Sequence, residues 1–208
     1  MNKDGTLTIR SMTSAVYNLK VAGTITINNT KYQVTEIAAN AFKNNKTIKT
    51  VTIGNGITTI GKGAFEGCTK LTSVKFGVGL SVIGDRAFYG CTSLQTVKTT
   101  RTLTKIGSKA FYNCKKLKSY SVGKYVKSIG SYAFYNCKKL KKITLAESME
   151  IVGKKAFYNC SSLKTVSIKS TKLIKVGSGA FKKCNKKLKF TVPAKKKKAY
   201  AKLLKGKS

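Results

Sequence analysis

The chain has 208 residues, with 42 lysines and arginines against 6 acidic residues, a formal net charge of +36 and no histidine. Without histidine the chain lacks the commonest acid–base group and the commonest metal ligand, which argues against catalysis and against a metal centre. So large a charge exceeds what solubility needs and favours contact with polyanions. Most of it lies late in the chain, since residues 1–100 carry +8 and residues 101–208 carry +28.

Residues 1–33 show no repeat, and we expect them to form an N-terminal β cap, because a solenoid needs its open core covered. A hairpin turn is predicted at Asn28 and Asn29, since asparagine tolerates left-handed backbone. A separate binding domain is the alternative, although so short a segment rarely has its own core. The strands are predicted over residues 6–10, 15–19, 24–27 and 32–37.

Residues 34–193 contain an Ala-Phe pair that returns every 23 residues, with one interval of 24. A fixed period in this range indicates one structural unit stacked on copies of itself. The sequence therefore predicts a solenoid of seven coils, which we number one to seven by their phenylalanines. These are Phe42, Phe65, Phe88, Phe111, Phe134, Phe157 and Phe181.

Each coil also contains a Leu-x-x-Val-x-Ile pattern, which predicts a short strand with its apolar side chains inward. Stacked copies would pair into a parallel sheet with about 5 Å between coils. Serine, threonine and lysine then face outward, among them Lys75, Lys98 and Lys142. This strand face is one candidate ligand surface.

Three further features recur in each coil. The glycine after an aliphatic pair, such as Gly107, is expected at a sharp bend with positive φ. The Ala-Phe-x-x-Cys segment is expected to form a single helical or 3₁₀ turn. The six cysteines lie one coil apart, without the close Cys pair of a zinc site, so we predict a ladder of free, buried thiols.

The chain ends with a basic segment, residues 194–208. Tyr200, Leu203 and Leu204 share one face of a predicted helix over 194–204. It is interpreted as a cap on the last coil or, alternatively, as a basic amphipathic segment at a membrane surface. The last repeat is expected to have its extra residue between Cys184 and Leu188.

The pattern I-G-x-x-A-F-x-x-C-x-x-L-x-x-V-x-I resembles the BspA-type, or Treponema pallidum-type, leucine-rich repeats. The resemblance implies an α/β solenoid, a right-handed superhelix with a parallel β-sheet on one face. It also implies a bacterial surface protein used in adhesion or host-protein binding. Partners vary within such families, so the resemblance carries the architecture further than the function.

A second candidate surface lies directly after the core phenylalanines, where four consecutive coils carry tyrosine. The row is interpreted as a half-buried stacking ladder or, alternatively, as an aromatic stripe that binds a ligand beside lysines such as Lys138 and Lys139. Coils two and seven have Glu66 and Lys182 in this slot, so the core does not require an aromatic ring there. The tyrosines are Tyr89, Tyr112, Tyr135 and Tyr158.

From these features we predict a non-enzymatic binding or adhesion module without catalytic residues, cofactor or metal. Its expected partner is a protein or glycan of a host or neighbouring cell. The alternative is a polyanion binder for teichoic acid, sulfated glycan or nucleic acid. No signal peptide or membrane span is visible in the sequence, so either the protein acts inside the cell or the chain is a mature or excised piece of a longer exported protein. The predicted location is the cell surface or the medium.

Overall fold

In the computed structural model, which describes residue 2 and residues 5–11 and 16–207, the chain winds through about eight turns of a solenoid. Each full coil contributes one short strand to each of two sheet faces, and equivalent strands of successive coils pair in parallel. The register follows the repeat, for example Ser73 with Thr96. The predicted parallel sheet is therefore confirmed.

One face is a nine-stranded sheet. Its strands are β1 (Leu7–Ile9), β3 (Thr24–Ile27), β4 (Thr30–Ile37), β6 (Thr59–Ile60), β8 (Val82–Ile83), β10 (Lys105–Ile106), β12 (Ser128–Ile129), β14 (Ile151–Val152) and β16 (Lys175–Val176). The strand face consists of two four-stranded sheets. They are β2 (Asn18–Val21), β5 (Thr50–Ile53), β7 (Ser73–Lys75) and β9 (Thr96–Lys98), followed by β11 (Tyr120–Ser121), β13 (Lys142–Leu145), β15 (Thr165–Ile168) and β17 (Lys189–Thr191).

The N-terminal segment adds a further turn to both faces, because β1 pairs in parallel with β4 and β2 with β5. β3 and β4 form an antiparallel hairpin whose turn residues, Asn28 and Asn29, have φ of 47° and 59°. The predicted turn is confirmed. Residue 15 of the strand predicted over 15–19 lies outside the described residues, and the strand present there begins at Asn18.

The core is a column of stacked phenylalanine rings that follows the solenoid axis. The rings of Phe65 and Phe88 lie 5.2 Å apart between centroids and 2° from parallel, and the other pairs are similar. Aliphatic side chains of both strand sets enclose the column and are nearly all buried. The interior is therefore linear, and each layer contacts the layers before and after it.

The glycine after each aliphatic pair has a different role from the one predicted. Gly107 does not have positive φ. A Cβ on it would lie 2.6 Å from the backbone nitrogen of Asp85 in the preceding coil. This glycine is required because two backbones approach closely, and the expectation of a positive φ was wrong.

Positive φ occurs instead on both sides of the Ala-Phe pair, for example at Lys109 and Asn113, with φ of 55° and 59°. The Ala-Phe-x-x-Cys segment is a run of turns, without the expected helical or 3₁₀ turn. Its N–H groups alternate in direction: Phe65 donates to Ala87 of the next coil, whereas Cys68 donates within its own coil to Phe65. Left-handed residues at this spacing are incompatible with a helix.

Two irregularities interrupt the stack. The strand face is divided between β9 and β11, where Tyr120 occupies a slot that holds valine or isoleucine in most coils. Its buried ring packs between Phe111 and Phe134. The extra residue of the 24-residue interval lies between Ile168 and Lys175, because Leu145 pairs with Ile168 at an offset of 23 and Ile151 with Lys175 at an offset of 24. It does not lie after Cys184, since Thr165 pairs with Lys189 at the same offset of 24.

The C-terminal segment lies against the last coil. A 3₁₀ helix (Ala194–Lys196) leads into α1 (Lys197–Leu204). Tyr200 is buried; its hydroxyl accepts from the N–H of Leu173 at 3.0 Å and donates to the carbonyl of Ser170 at 3.1 Å. The N–H of Phe181 donates to the carbonyl of Lys207. In the other coils the phenylalanine N–H donates to a carbonyl of the next coil, so the C-terminal segment takes the place of a further coil.

The close approach at Gly107 can be tested by substitution. We expect Gly107→Ala to lower the free energy of unfolding by about 1–3 kcal/mol, because the backbone of the preceding coil must move. Lys109→Gly is the control, and its left-handed backbone suits glycine, so it should change stability by at most about 1 kcal/mol. Urea unfolding followed by circular dichroism measures both, and an unchanged midpoint for Gly107→Ala would contradict the assigned role.

Candidate ligand-binding surfaces

The four predicted tyrosines form one continuous stack. Centroids of Tyr112 and Tyr135 lie 4.6 Å apart with rings 1° from parallel, and Tyr89 and Tyr158 extend the stack at 4.8 and 5.1 Å. All four side chains are half-buried. Because each inner ring is covered on both faces, ring edges and hydroxyl groups are the parts that reach solvent. Burial, with the neighbouring phenols, raises the pKa of Tyr112, so this phenol keeps its proton to a more alkaline pH than a free tyrosine does.

Cations cover both ends of this tyrosine stack. The guanidinium of Arg86 lies 4.1 Å from the ring centroid of Tyr89, and Lys155 and Lys183 approach the ring of Tyr158 at 5.3 and 5.7 Å. Such contacts stabilise an exposed site by about 0.5–1 kcal/mol each.

Arg86 is held in place by a carboxylate. It donates two hydrogen bonds to Glu66, at 2.9 and 2.7 Å. The bond from Arg86 lowers the pKa of Glu66. In coil two, Glu66 occupies the position that holds tyrosine in coils three to six. The ion pair between Glu66 and Arg86 therefore lies at one end of the tyrosine stack.

A row that sequence reasoning missed borders the stack. The residue two positions before each core phenylalanine has positive φ, and coils two and seven use Gly63 and Gly179 there. Coils three to six have long side chains in this row instead. They are Arg86, Lys109, Tyr132 and Lys155, with φ of 56°, 55°, 59° and 49°. Left-handed backbone costs a residue with a side chain roughly 1 kcal/mol relative to glycine.

A ladder of asparagines follows directly after the tyrosines in sequence. The side chain of Asn136 donates to that of Asn113 at 2.5 Å, and Asn159 donates to Asn136 at 3.0 Å. These asparagines also have positive φ, which asparagine tolerates best among residues with a side chain. We call the stack, the positive-φ row and the asparagine ladder together the tyrosine face.

The predicted lysines of the strand face are not all neighbours. Lys75 and Lys98 are paired in register on β7 and β9 and line a groove of about 230 Å³ with Thr50 and Thr52. Like charges directly opposite one another destabilise a sheet. Lys142 lies in the other four-stranded sheet, beside Thr165, so the structure does not bring it together with the first two.

Lys138 and Lys139 lie in the turn between Cys137 and β13, and both are exposed. Lys139 lines a groove of about 500 Å³ with four further polar residues, whereas Lys138 does not. We call it the lysine groove. Its residues are Gln95, Lys116, Lys118, Lys139 and Lys141.

The cysteines form the predicted ladder of free thiols. Each thiol donates to the carbonyl of a phenylalanine in the preceding coil, as Cys114 does to Phe88 at 3.3 Å. Burial raises the thiol pKa throughout the ladder, to about 12 at Cys68.

Within the described residues there is no cluster of metal-ligating side chains. No helix in that part of the chain has the length and the hydropathy needed to span a membrane.

A family model described as a BspA-type leucine-rich repeat region, with 6 copies, matches residues 11–139 and 81–207. Among solved structures, a leucine-rich repeat protein of T. pallidum is 27% identical with a TM-score of 0.80, over 98% of this chain and 91% of that one. A leucine-rich cell surface protein of Faecalibacterium prausnitzii is 26% identical with a TM-score of 0.58, over 82% of this chain. That match spans only 52% of the F. prausnitzii protein.

A leucine-rich repeat protein of Bacteroides ovatus, 21% identical with a TM-score of 0.50, is similar in fold, over 92% of this chain and 68% of that one. No curated protein matches the chain significantly.

Thiol ionisation should make stability depend on alkaline pH. Folding raises the pKa of Cys114 well above its ordinary value of 9.0, so this contribution is complete below pH 9 and is lost as pH rises towards the folded value. We expect the stability difference between the wild type and Cys114→Ala to shrink by roughly 1 kcal/mol between pH 9 and pH 10. Denaturant melts at each pH measure it. Cys184 is only partly buried, so rapid labelling of more than one cysteine of the native protein by a thiol reagent at pH 7 would refute the buried ladder.

Proposed function

The chain belongs to the BspA-type leucine-rich repeat family, and from this membership we propose that it is a non-enzymatic adhesion module at a bacterial cell surface. Its partner would be a protein or glycan of a host or neighbouring cell. The F. prausnitzii relative is described as a cell surface protein, which supports the location. Leucine-rich repeat solenoids of this type are interaction modules, and adhesion is the finer role that we assign.

The tyrosine face carries this proposal. Coils two and seven complete the same fold with Glu66 and Lys182 in the tyrosine slot and glycine in the positive-φ row. Coils three to six depart from that pattern together, in both rows. Cation–π contacts offset part of the backbone cost, but glycine would avoid that cost altogether. Strained residues that the fold does not need are a reason to look for function at the same place.

The tyrosine face would bind an extended ligand that runs along the solenoid axis. Each coil offers a phenol hydroxyl, and coils four to six add a side-chain amide, with about 5 Å between coils. Tyrosine combines an apolar body with a polar tip and loses little conformational entropy on binding. A single coil contributes little, and repetition over four coils supplies the affinity.

Removing the tyrosine hydroxyls while keeping the aromatic rings separates the effect on ligand binding from the effect on folding stability. In the double variant Tyr112→Phe with Tyr135→Phe the stack remains, so the melting temperature should change little. Two hydrogen bonds to the ligand are lost, so adhesion should weaken about tenfold. Plate assays of binding to host cells or matrix proteins, together with thermal melts, provide the two measurements.

The matching variant Tyr112→Ser with Tyr135→Ser removes the rings and should lower both adhesion and stability. If the phenylalanine variant adheres as well as the wild type, the hydroxyl edges of the tyrosine face are not the binding surface.

Polyanion binding is the second candidate function, and the charge distribution favours it. Residues 101–208 carry +28. Among the described residues, the basic groups within 4 Å of a carboxylate belong to Lys43, Arg86 and Lys124. The C-terminal half is therefore a nearly unneutralised field of positive charge, which attracts any polyanion.

Salt dependence tests this second function. Binding by counterion release weakens linearly in log–log form as salt rises. We expect retention on immobilised heparin to persist above physiological ionic strength. Elution below that ionic strength would reduce the interaction to a non-specific consequence of charge.

A further inference from the structure

Lysines are concentrated in one segment of two consecutive coils, four and five. The segment runs from the asparagine before the cysteine to the start of the strand, and covers residues 113–119 and 136–142. It contains seven lysines and no carboxylate. The equivalent segments of coils two and three, 67–73 and 90–96, contain one lysine between them. The fold therefore forms without these charges.

Stacking brings the lysines of successive coils into register. The N–H of Lys141 donates to the carbonyl of Lys118, and that of Lys164 donates to Lys141, at 3.3 and 2.9 Å. Equivalent lysine side chains therefore start one coil apart, about 5 Å along the axis. None of these lysines pairs with a carboxylate in the described part of the chain, where the ion pairs involve other residues. Their mutual repulsion is uncompensated in the free protein.

Four of these lysines line the lysine groove. It has a volume of about 500 Å³ and is lined by lysines of coils four and five together with Gln95 of coil three. It lies where the strand face divides, and the N–H of Lys118 donates to the carbonyl of Gln95 at 3.2 Å. An anionic group in the groove would lie among the side chains of four lysines and one glutamine, whose positive charge attracts it.

We propose that the lysine groove binds the phosphate or sulfate groups of a linear anionic polymer that runs along the solenoid axis. This inference rests on the second candidate function and assigns it a site. Lysine suits such a polymer because its compact charge needs no fixed ligand geometry. No aromatic side chain lines the groove, and sites for single-stranded nucleic acid rely on base stacking. A polymer without bases is therefore the partner that fits.

Two variants with equal charge test the site. The groove variant replaces Lys116, Lys118, Lys139 and Lys141 with glutamine. The control replaces four exposed lysines on or beside the nine-stranded sheet. These are Lys105, Lys127, Lys154 and Lys175. Neither change removes a buried group, and thermal melts check that both variants fold.

Inorganic polyphosphate, heparin and a thymidine oligonucleotide are the probes, each titrated over a salt series by fluorescence anisotropy. The groove variant should lose at least about tenfold more affinity for polyphosphate or heparin than the control, and its salt slope should fall by roughly 3, for four lost contacts. A preference for polyphosphate or for heparin identifies phosphate or sulfate as the group that is bound.

Equal losses in both variants would overturn the groove as a site while leaving polyanion binding in place. A wild type that binds no probe at physiological salt would overturn both. Tightest binding to the oligonucleotide, lost in the groove variant, would replace the base-free polymer with nucleic acid. The Tyr112→Phe and Tyr135→Phe variant should bind polyphosphate normally, because neither tyrosine lines the lysine groove.

Discussion

Close backbone approach between coils is the constraint on which the rest of the structure depends. At Gly107 there is no room for even one methyl group between successive coils, and the same glycine recurs in six of them. This approach holds neighbouring coils at one separation and in one register. Every other residue of the repeat then lies directly above its equivalent, so a side chain that packs well once packs well throughout the stack.

That register turns single residues into ladders. The core phenylalanines become a ring stack, each cysteine thiol reaches the carbonyl of the preceding coil, and asparagines and tyrosines form ladders nearer the surface. The same register also stacks like charges, which a globular fold would disperse. The short helix α1, outside the repeats, also holds charge in an unfavourable place, because Lys195 to Lys198 lie at its N-terminal end, where the helix dipole disfavours cations. Its position depends on the buried Tyr200.

The sequence was a sufficient guide wherever a pattern had one physical cause. Period-two burial in Leu-x-x-Val-x-Ile predicts the strands, and even spacing predicts the thiol ladder. It misled at Gly107, because glycine serves both positive φ and close approach, and one residue type cannot reveal which. Comparing equivalent positions across the coils does distinguish the two roles of glycine. The position of close approach is glycine in six coils, whereas the positive-φ position of Gly63 also accepts lysine, arginine and tyrosine. The tyrosine stack was predictable from position, but the covering of the ring faces depends on side-chain geometry that no spacing reveals.

A solenoid of this kind also determines how affinity can arise. Neither the tyrosine face nor the lysine groove encloses a ligand, since each repeats a small set of groups from coil to coil. On the two proposals, affinity therefore grows with the number of coils that one ligand spans, as in any multivalent contact. Four coils with tyrosine span roughly 15 Å between the outer rings. A short fragment of the partner would bind weakly for this reason, and ligand length would contribute more to recognition than any single side chain.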